Sequence, residues 1–301
     1  MSSKANRFFH RVPQAFHILR HHLLSRNQPL LASYKLTYRC NLRCQQCPFF
    51  TMENEEATYE QACRIIDKLY ERGSRLLMFE GGEPMLWQDG EKRVHDLVNY
   101  ARRHFFSVGM TTNGTLPLDV HTDVLWVSVD GLRDTHNELR GAPVFDRVIA
   151  NVRASEHPRL YAHVTVNSVN ADEVSELLEF LNGIFHGITI QFYYPYNHKD
   201  DFFLDFARRE KLLDAIIDQK KAGVRVLNSI PALRALKRNT WVCWDALIDN
   251  TNPDGSMQRG CYLKGRADID CSKCGFSPHT EISLACRGVP QAILAGMRIF
   301  F

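Results

Sequence analysis

Six apolar, β-rich runs alternate with helical patterns between residues 32 and 222, and that alternation leaves few folds open. The runs are LASYKLTY, RLLMFE, FSVGMTTN, VLWVSVD, AHVTVNSV and ITIQFYYPY, and amphipathic stretches fall at about residues 57–72, 90–104, 143–155, 171–184 and 204–222. Strand and helix at this pitch build right-handed βαβ units, and therefore a parallel sheet. A closed barrel of this kind takes eight units. Six predict an α/β fold: a partial (βα)6 TIM-like barrel, open on one side for a bulky substrate, with a small Cys-rich C-terminal extension. The expected divisions are residues 1–31, a basic amphipathic helix; 32–226, the barrel; and 227–301, the Cys-rich region.

Cys40, Cys44 and Cys47 crowd into the run CNLRCQQCP just after the first strand. Their spacing supplies three thiolates, one short of the four that close an iron–sulfur cluster or a structural zinc. An iron with a vacant position binds a substrate or cofactor directly, so the triplet points to catalysis; a zinc knuckle or three incidental thiols is the plainer alternative. The other chemistry-bearing runs, FEGGEP, TTNGT and VSVDG, also fall at strand ends. Parallel sheets gather their ligand sites at the carboxyl ends of strands, where loops and helix N-termini converge.

These runs, taken in order with THNELRG, resemble the radical SAM superfamily over roughly residues 32–226. One departure is Gln46, where that family usually has an aromatic residue. The resemblance implies that Cys40, Cys44 and Cys47 hold a 4Fe–4S cluster whose open iron chelates S-adenosylmethionine. Reductive cleavage of the sulfonium then yields methionine and a 5′-deoxyadenosyl radical, with the electron coming from an external donor such as flavodoxin or ferredoxin. Gly81 and Gly82 let the backbone approach the bound amino acid, Glu83 or adjacent carbonyls accept from its ammonium group, and Pro84 completes the GGEP segment. Asn113, at the end of the third strand, is with Pro84 a further candidate for binding the cofactor. Ser128 and Asn167, at the ends of strands four and five, are candidate partners of the cofactor, or else polar strand ends bonded to neighbouring loops. Of Tyr193, Tyr194 and Tyr196 after strand six, Tyr196 is the candidate substrate-pocket residue.

Five further thiols follow residue 227, including the chelating pair CSKC at 271–274. Cys243, Cys261, Cys271 and Cys274 suffice for a second metal, expected as an auxiliary 4Fe–4S cluster, with zinc as the alternative. Cys286 and Cys63 are expected spectators. WVCWDALIDNT, QRGCYLKG and CSKCGF are similar to the tail of radical SAM enzymes that modify hopanoid lipids by adding the adenosyl group to a double bond. Peptide-modifying members of the SPASM and twitch type carry comparable tails, and a non-enzymatic iron–sulfur protein is the reading from another class.

Composition bounds the setting. With 45% hydrophobic and 24% charged residues the chain is an ordinary globular one, which excludes disorder. Nine cysteines without a secretory signal imply a reducing, cytoplasmic compartment. No apolar run reaches the ~18 residues needed to span a bilayer. Residues 1–52 hold no acid but carry Lys4, Arg7, Arg11, Arg20 and Arg26, and Val12, Phe16, Leu19 and Leu23 recur at helical spacing. That helix either docks on the barrel or contacts the inner face of a membrane, which would suit a lipid-like substrate. A net charge of only +3 and the absence of a nucleic-acid-binding motif exclude nucleic acid as partner.

Overall fold

The computed structural model describes residues 28–196 and 200–301; the predicted N-terminal helix and its basic residues lie outside the described residues. Strands β1 (Leu31–Thr37), β2 (Leu76–Gly81), β3 (Ser107–Thr112), β4 (Val124–Ser128), β5 (Leu160–Val166) and β6 (Gly187–Phe192) pair in parallel, each with the next. Helices α1 (Tyr59–Glu71), α2 (Val94–Ala101), α3 (Arg133–Arg140), α4 (Phe145–Ala154), α5 (Val174–Asn182) and α6 (Phe206–Lys221) fall between and after them. The result is the partial TIM-like barrel that the alternation predicts. Local chemistry sets the helix starts: Thr58 and Gln61 form a reciprocal capping box on α1, and the Asp205 carboxylate accepts from the Arg208 N–H to open α6.

Three details differ from expectation. The stretch 90–104 becomes helical only at Val94, because Gln88–Asp89 and Lys92–Arg93 first pair as a small hairpin around Gly90, which takes φ +55°. THNELRG, which falls in none of the expected helical stretches, is the end of α3, which stops at Gly141 in the left-handed region, φ +68°. Nor does the sheet end at six strands. β7 (Ile248–Thr251) lies parallel to β1 and β8 (Met257–Arg259) antiparallel to β7, giving the order β8-β7-β1-β2-β3-β4-β5-β6. Asp249 of β7 is fully buried and accepts from Arg72 through Nε at 2.6 Å and Nη2 at 2.8 Å, a bidentate pair that clamps α1 to the new edge. Helices α7 (Ile230–Leu236), α8 (Ser277–Cys286) and α9 (Pro290–Phe300) complete the chain.

Period-two alternation divides the strands between two environments. Ala32, Tyr34, Leu36, Leu77 and Phe79 face the helices and are fully buried in the main core. Their neighbours Leu31, Ser33, Met78 and Glu80 face the lumen. Register sets Ser33 beside Met78, Thr111 beside Trp126, Ser128 beside His163 and Thr165 beside Gln191, so polar and apolar side chains interleave on the lumen wall. Val124, Trp126 and Tyr161 meet Ile299 and Phe300 of α9, which close the floor.

Candidate radical SAM site

Backbone contacts build the cysteine loop. Gly82 N–H donates to the Thr37 carbonyl at 2.7 Å and Glu83 N–H to the Arg39 carbonyl at 2.8 Å, zipping the end of β2 to the chain that leaves β1. A β-carbon at Gly81 would stand 2.2 Å from the Thr37 carbonyl oxygen, and one at Gly82 would stand 2.2 Å from that of Arg39. The glycines therefore clear a path for neighbouring backbone, a requirement that exists before any ligand binds. From the other side, Gln45 N–H donates to the Leu139 carbonyl at 3.0 Å, and Gly141 passes where a β-carbon would sit 2.7 Å from the Arg43 oxygen.

Held this way, Cys40, Cys44 and Cys47 share one apolar nest with Leu42, Ala142 and Val144. The Cys40 sulfur accepts from Leu42 N–H at 3.4 Å and from Asn113 Nδ2 at 3.8 Å; Arg140 Nη1 points to the Cys44 sulfur at 3.9 Å. Burial pushes the Cys47 thiol up to about 11 and raises Cys40 as well. Such thiols keep their protons at neutral pH until a metal displaces them. Three soft donors on one loop, ringed by N–H groups, have the chemistry that a cluster binding one thiolate per iron requires. Among the described residues no three His, Cys, Asp or Glu side chains converge on a single metal-ion position.

The remaining predicted residues divide into those that face the lumen and those that brace it. Gly81, Gly82, Asn113, Ser128 and Tyr196 line a cavity of about 770 Å3 together with the three cysteines. Glu83 braces the site in this structure: its fully buried carboxylate accepts from Thr112 Oγ1 at 2.8 Å, Asn113 N–H at 2.7 Å and Met85 N–H at 3.1 Å, which ties β2 to β3. Pro84 is buried in the short 3-10 turn Pro84–Leu86. Asn167 is also a brace, its Oδ1 taken by Val169 and Asn170 N–H and its Nδ2 given to Gln46.

Gln46 is where sequence reasoning stopped short. Its Nε2 donates to Asp130 Oδ2 at 2.9 Å, the same oxygen that Arg140 holds at 2.7 Å, while Asp130 Oδ1 accepts from Thr165 N–H at 3.0 Å. A continuous polar chain thus runs from Asn167 through Gln46, Asp130 and Arg140 to Cys44. The signal was the Asp of VSVDG, to which no role was assigned.

Tyr196 packs edge-on to Phe49, ring centres 6.0 Å apart, and against Tyr193 and Tyr194. Burial raises its hydroxyl well above the ordinary tyrosine value, so it remains a neutral O–H. On the far wall Glu281 of α8 accepts from Ser229 N–H at 2.6 Å and Oγ at 2.8 Å, yet burial pushes it from 4.5 up to about 7. A carboxyl whose folded value is raised adds stability that is fully present at low pH and is lost as pH rises through the folded value. Glu281→Gln is therefore expected to flatten the fall in stability between pH 4.5 and about 7 and to gain about 2 kcal/mol at pH 8, measured by urea unfolding at both ends of that window.

Four C-terminal cysteines gather near the end of β6. Cys243 precedes the 3-10 turn Asp245–Leu247, Cys261 follows β8, and Cys271 and Cys274 flank another turn. They lie close enough that charge on Cys274, Cys261 and Cys271 adds to burial in pushing Cys243 up to about 12. The CxxC pair is docked on the barrel by Phe192 N–H to the Gly275 carbonyl at 3.0 Å and Arg209 Nη1 to the Cys274 carbonyl at 3.0 Å. Cys63 packs against the main core, and Cys286 lies along the cavity wall.

Residues 34–181 match the Radical SAM superfamily. This chain carries a radical SAM domain. The radical SAM family uses a 4Fe–4S cluster and S-adenosylmethionine, and its SPASM-type members carry auxiliary clusters. Fe-coproporphyrin III synthase of Methanosarcina barkeri is 29% identical over 177 residues, 53% of this chain and 43% of its own length. AdoMet-dependent heme synthase of the same organism is 31% identical over 169 residues, covering 51% and 47%. Sporulation killing factor maturation protein SkfB of Bacillus subtilis is 30% identical over 165 residues, covering 50% and 39%. The match thus spans under half the length of each of these relatives. In fold, the radical SAM domain and its extension are similar to Streptococcus suis SuiB bound to S-adenosylmethionine, with a TM-score of 0.64 and 16% identity over 90% of this chain and 68% of that one. No helix among the described residues is long and apolar enough to cross a membrane.

Proposed function

We propose that the chain is a radical SAM enzyme that modifies a carbon centre of a largely apolar, lipid-like organic substrate held in the barrel lumen. One observation carries the substrate class: the cavity beside Cys40, Cys44 and Cys47 runs down past Met78 and Trp126 to a floor of Ile299 and Phe300. Burial of an apolar body there contributes roughly 25 cal/mol per Å2 removed from water. In this reading Cys40, Cys44 and Cys47 hold the 4Fe–4S cluster, and Cys243, Cys261, Cys271 and Cys274 hold an auxiliary one. Bound, the cluster and S-adenosylmethionine supply an electron and a carbon–sulfur bond to break, the source of a 5′-deoxyadenosyl radical.

The chain's own residues position and exclude. Asn113 and Arg140 donate toward sulfur, backbone at Gly81 and Gly82 receives the amino-acid end of S-adenosylmethionine, and Ser128 offers a hydroxyl to its nucleoside. Tyr196 and Phe49 screen the lumen from water, which protects a radical from quenching. The electron comes from a flavodoxin- or ferredoxin-type donor. A non-enzymatic iron–sulfur protein has no use for such a lumen.

A peptide substrate is the second reading, favoured by the similarity to the maturation protein SkfB and by SuiB, one structure of which holds a precursor peptide. Anaerobic reconstitution tests both. The proposal expects about eight irons per chain, 5′-deoxyadenosine on strong reduction, and adenosylated or otherwise modified product from a polyprenoid olefin. Product from a peptide alone would replace the lipid-like substrate with a peptide; about four irons would remove the auxiliary cluster.

A further inference from the structure

An ion pair inside the barrel has no part in holding the cluster. Lys35 of β1 is fully buried, donates to Glu80 Oε1 of β2 at 2.8 Å, and lies over the Tyr262 ring with Nζ 3.8 Å from its centre. Ser33 Oγ donates to the same Oε1. Both hydrogen bonds fall on one oxygen, and Oε2 has no hydrogen-bond partner among the described residues. Glu80 nevertheless keeps 23% of its side chain exposed although it sits within the barrel, and that exposed part faces the cavity it lines.

His163 of β5 offers a matching atom. Its Nδ1 meets Thr189 Oγ1 at 2.9 Å, and Thr189 spends its own proton on the Ala162 carbonyl at 3.2 Å. The hydroxyl therefore accepts from Nδ1–H, and Nε2 is left with a lone pair toward the lumen. Burial keeps this ring neutral, its value lowered to about 4. The lumen thus offers two acceptors without donors, and the only guanidinium or ammonium group on its wall among the described residues is Arg140, already paired with Asp130 at 2.7 Å.

We propose that Glu80 and His163 form a subsite for a hydrogen-bond-donating group, a hydroxyl or an amine, carried by an otherwise apolar substrate, and that the subsite rejects phosphate and carboxylate. The proposal rests on the lumen being the substrate site. An anion there would lie beside a carboxylate, and the nearby cations are already engaged, Lys35 with Glu80 and Arg266 with the Asn252 side chain and the Tyr262 carbonyl, so its desolvation is not offset. A hydroxyl or ammonium satisfies Oε2 while Lys35 and Ser33 hold the carboxylate in place.

Calorimetric titration of the cluster-loaded chain with octanol, octylamine, octanoate and octyl phosphate tests this, with 5′-deoxyadenosine formation measured in parallel. The first two are expected to bind at least about tenfold more tightly than the two anions. Glu80→Gln should weaken octylamine by about tenfold and octanol by less, which separates the amine from the hydroxyl. Because that variant leaves Lys35 without its partner, Lys35→Met/Glu80→Gln is titrated beside it as a folded control and should show the same loss of preference. Anions binding as tightly as the alcohol, or an unchanged octylamine affinity in both variants, overturns the subsite. If none of the four binds while 5′-deoxyadenosine still forms, the subsite and the apolar lumen reading fall and the radical SAM reading stands.

Discussion

Replacing Cys40, Cys44 and Cys47 together by alanine is expected to bring 5′-deoxyadenosine formation down to the limit of detection, while iron falls by only about half. Loss of all three thiolates removes every soft ligand on that loop, and Asn113 and Arg140 donate but cannot replace them. The C-terminal thiols near the end of β6 should retain their metal, so residual iron of about four per chain, counted with sulfide, distinguishes loss of one centre from global unfolding. Folding should survive, because the three side chains pack in a small nest with Leu42, Ala142 and Val144, outside the main core. Circular dichroism checks this. Any variant that still cleaves S-adenosylmethionine would remove the cluster from that loop.

Gly82→Ala should cost nearly as much with every cysteine in place. Its β-carbon would sit 2.2 Å from the Arg39 carbonyl oxygen and 2.7 Å from that of Tyr38, and both obstacles are backbone. The clash breaks the zipper that links β2 to the cysteine loop, with a stability loss of about 3 kcal/mol. A loop displaced by an ångström loses on the order of 100-fold in rate even where the cluster still loads. Urea unfolding and iron-normalised rates read the two effects separately; wild-type values in both would show that the loop does not depend on this close passage.

Hydrophobic periodicity made β1 to β6 legible, because each is a run of apolar residues long enough to stand out. It could not reveal β7. IDNT reads as a loop, and its Asp249 and Asn250 are buried only because Arg72, far away in sequence, and the Gly260 carbonyl, across the hairpin to β8, meet their side chains. RDTHNELR has a single large apolar residue, Leu139, so α3 carried no helical period to find. The same limit applies to the site. Thiol spacing is local and could be read directly, whereas the convergence of Lys35 with Glu80, or of Gln46 with Asn167, depends on strand register that no single segment encodes. For Glu83 the motif is local, whereas the direction of its carboxylate is set by Thr112 and Asn113 at the end of the next strand.

The pairing of β7 with β1 orders events during synthesis. β1 leaves the ribosome before the strand that covers its free edge, which is translated some two hundred residues later. Until then Leu31 to Tyr34 expose an apolar, hydrogen-bonding margin of the kind that recruits other chains. Shortening the protein before Ile248 would make that temporary hazard permanent, so a stand-alone barrel lacking its cysteine-rich tail should aggregate instead of surviving as a stripped-down catalyst.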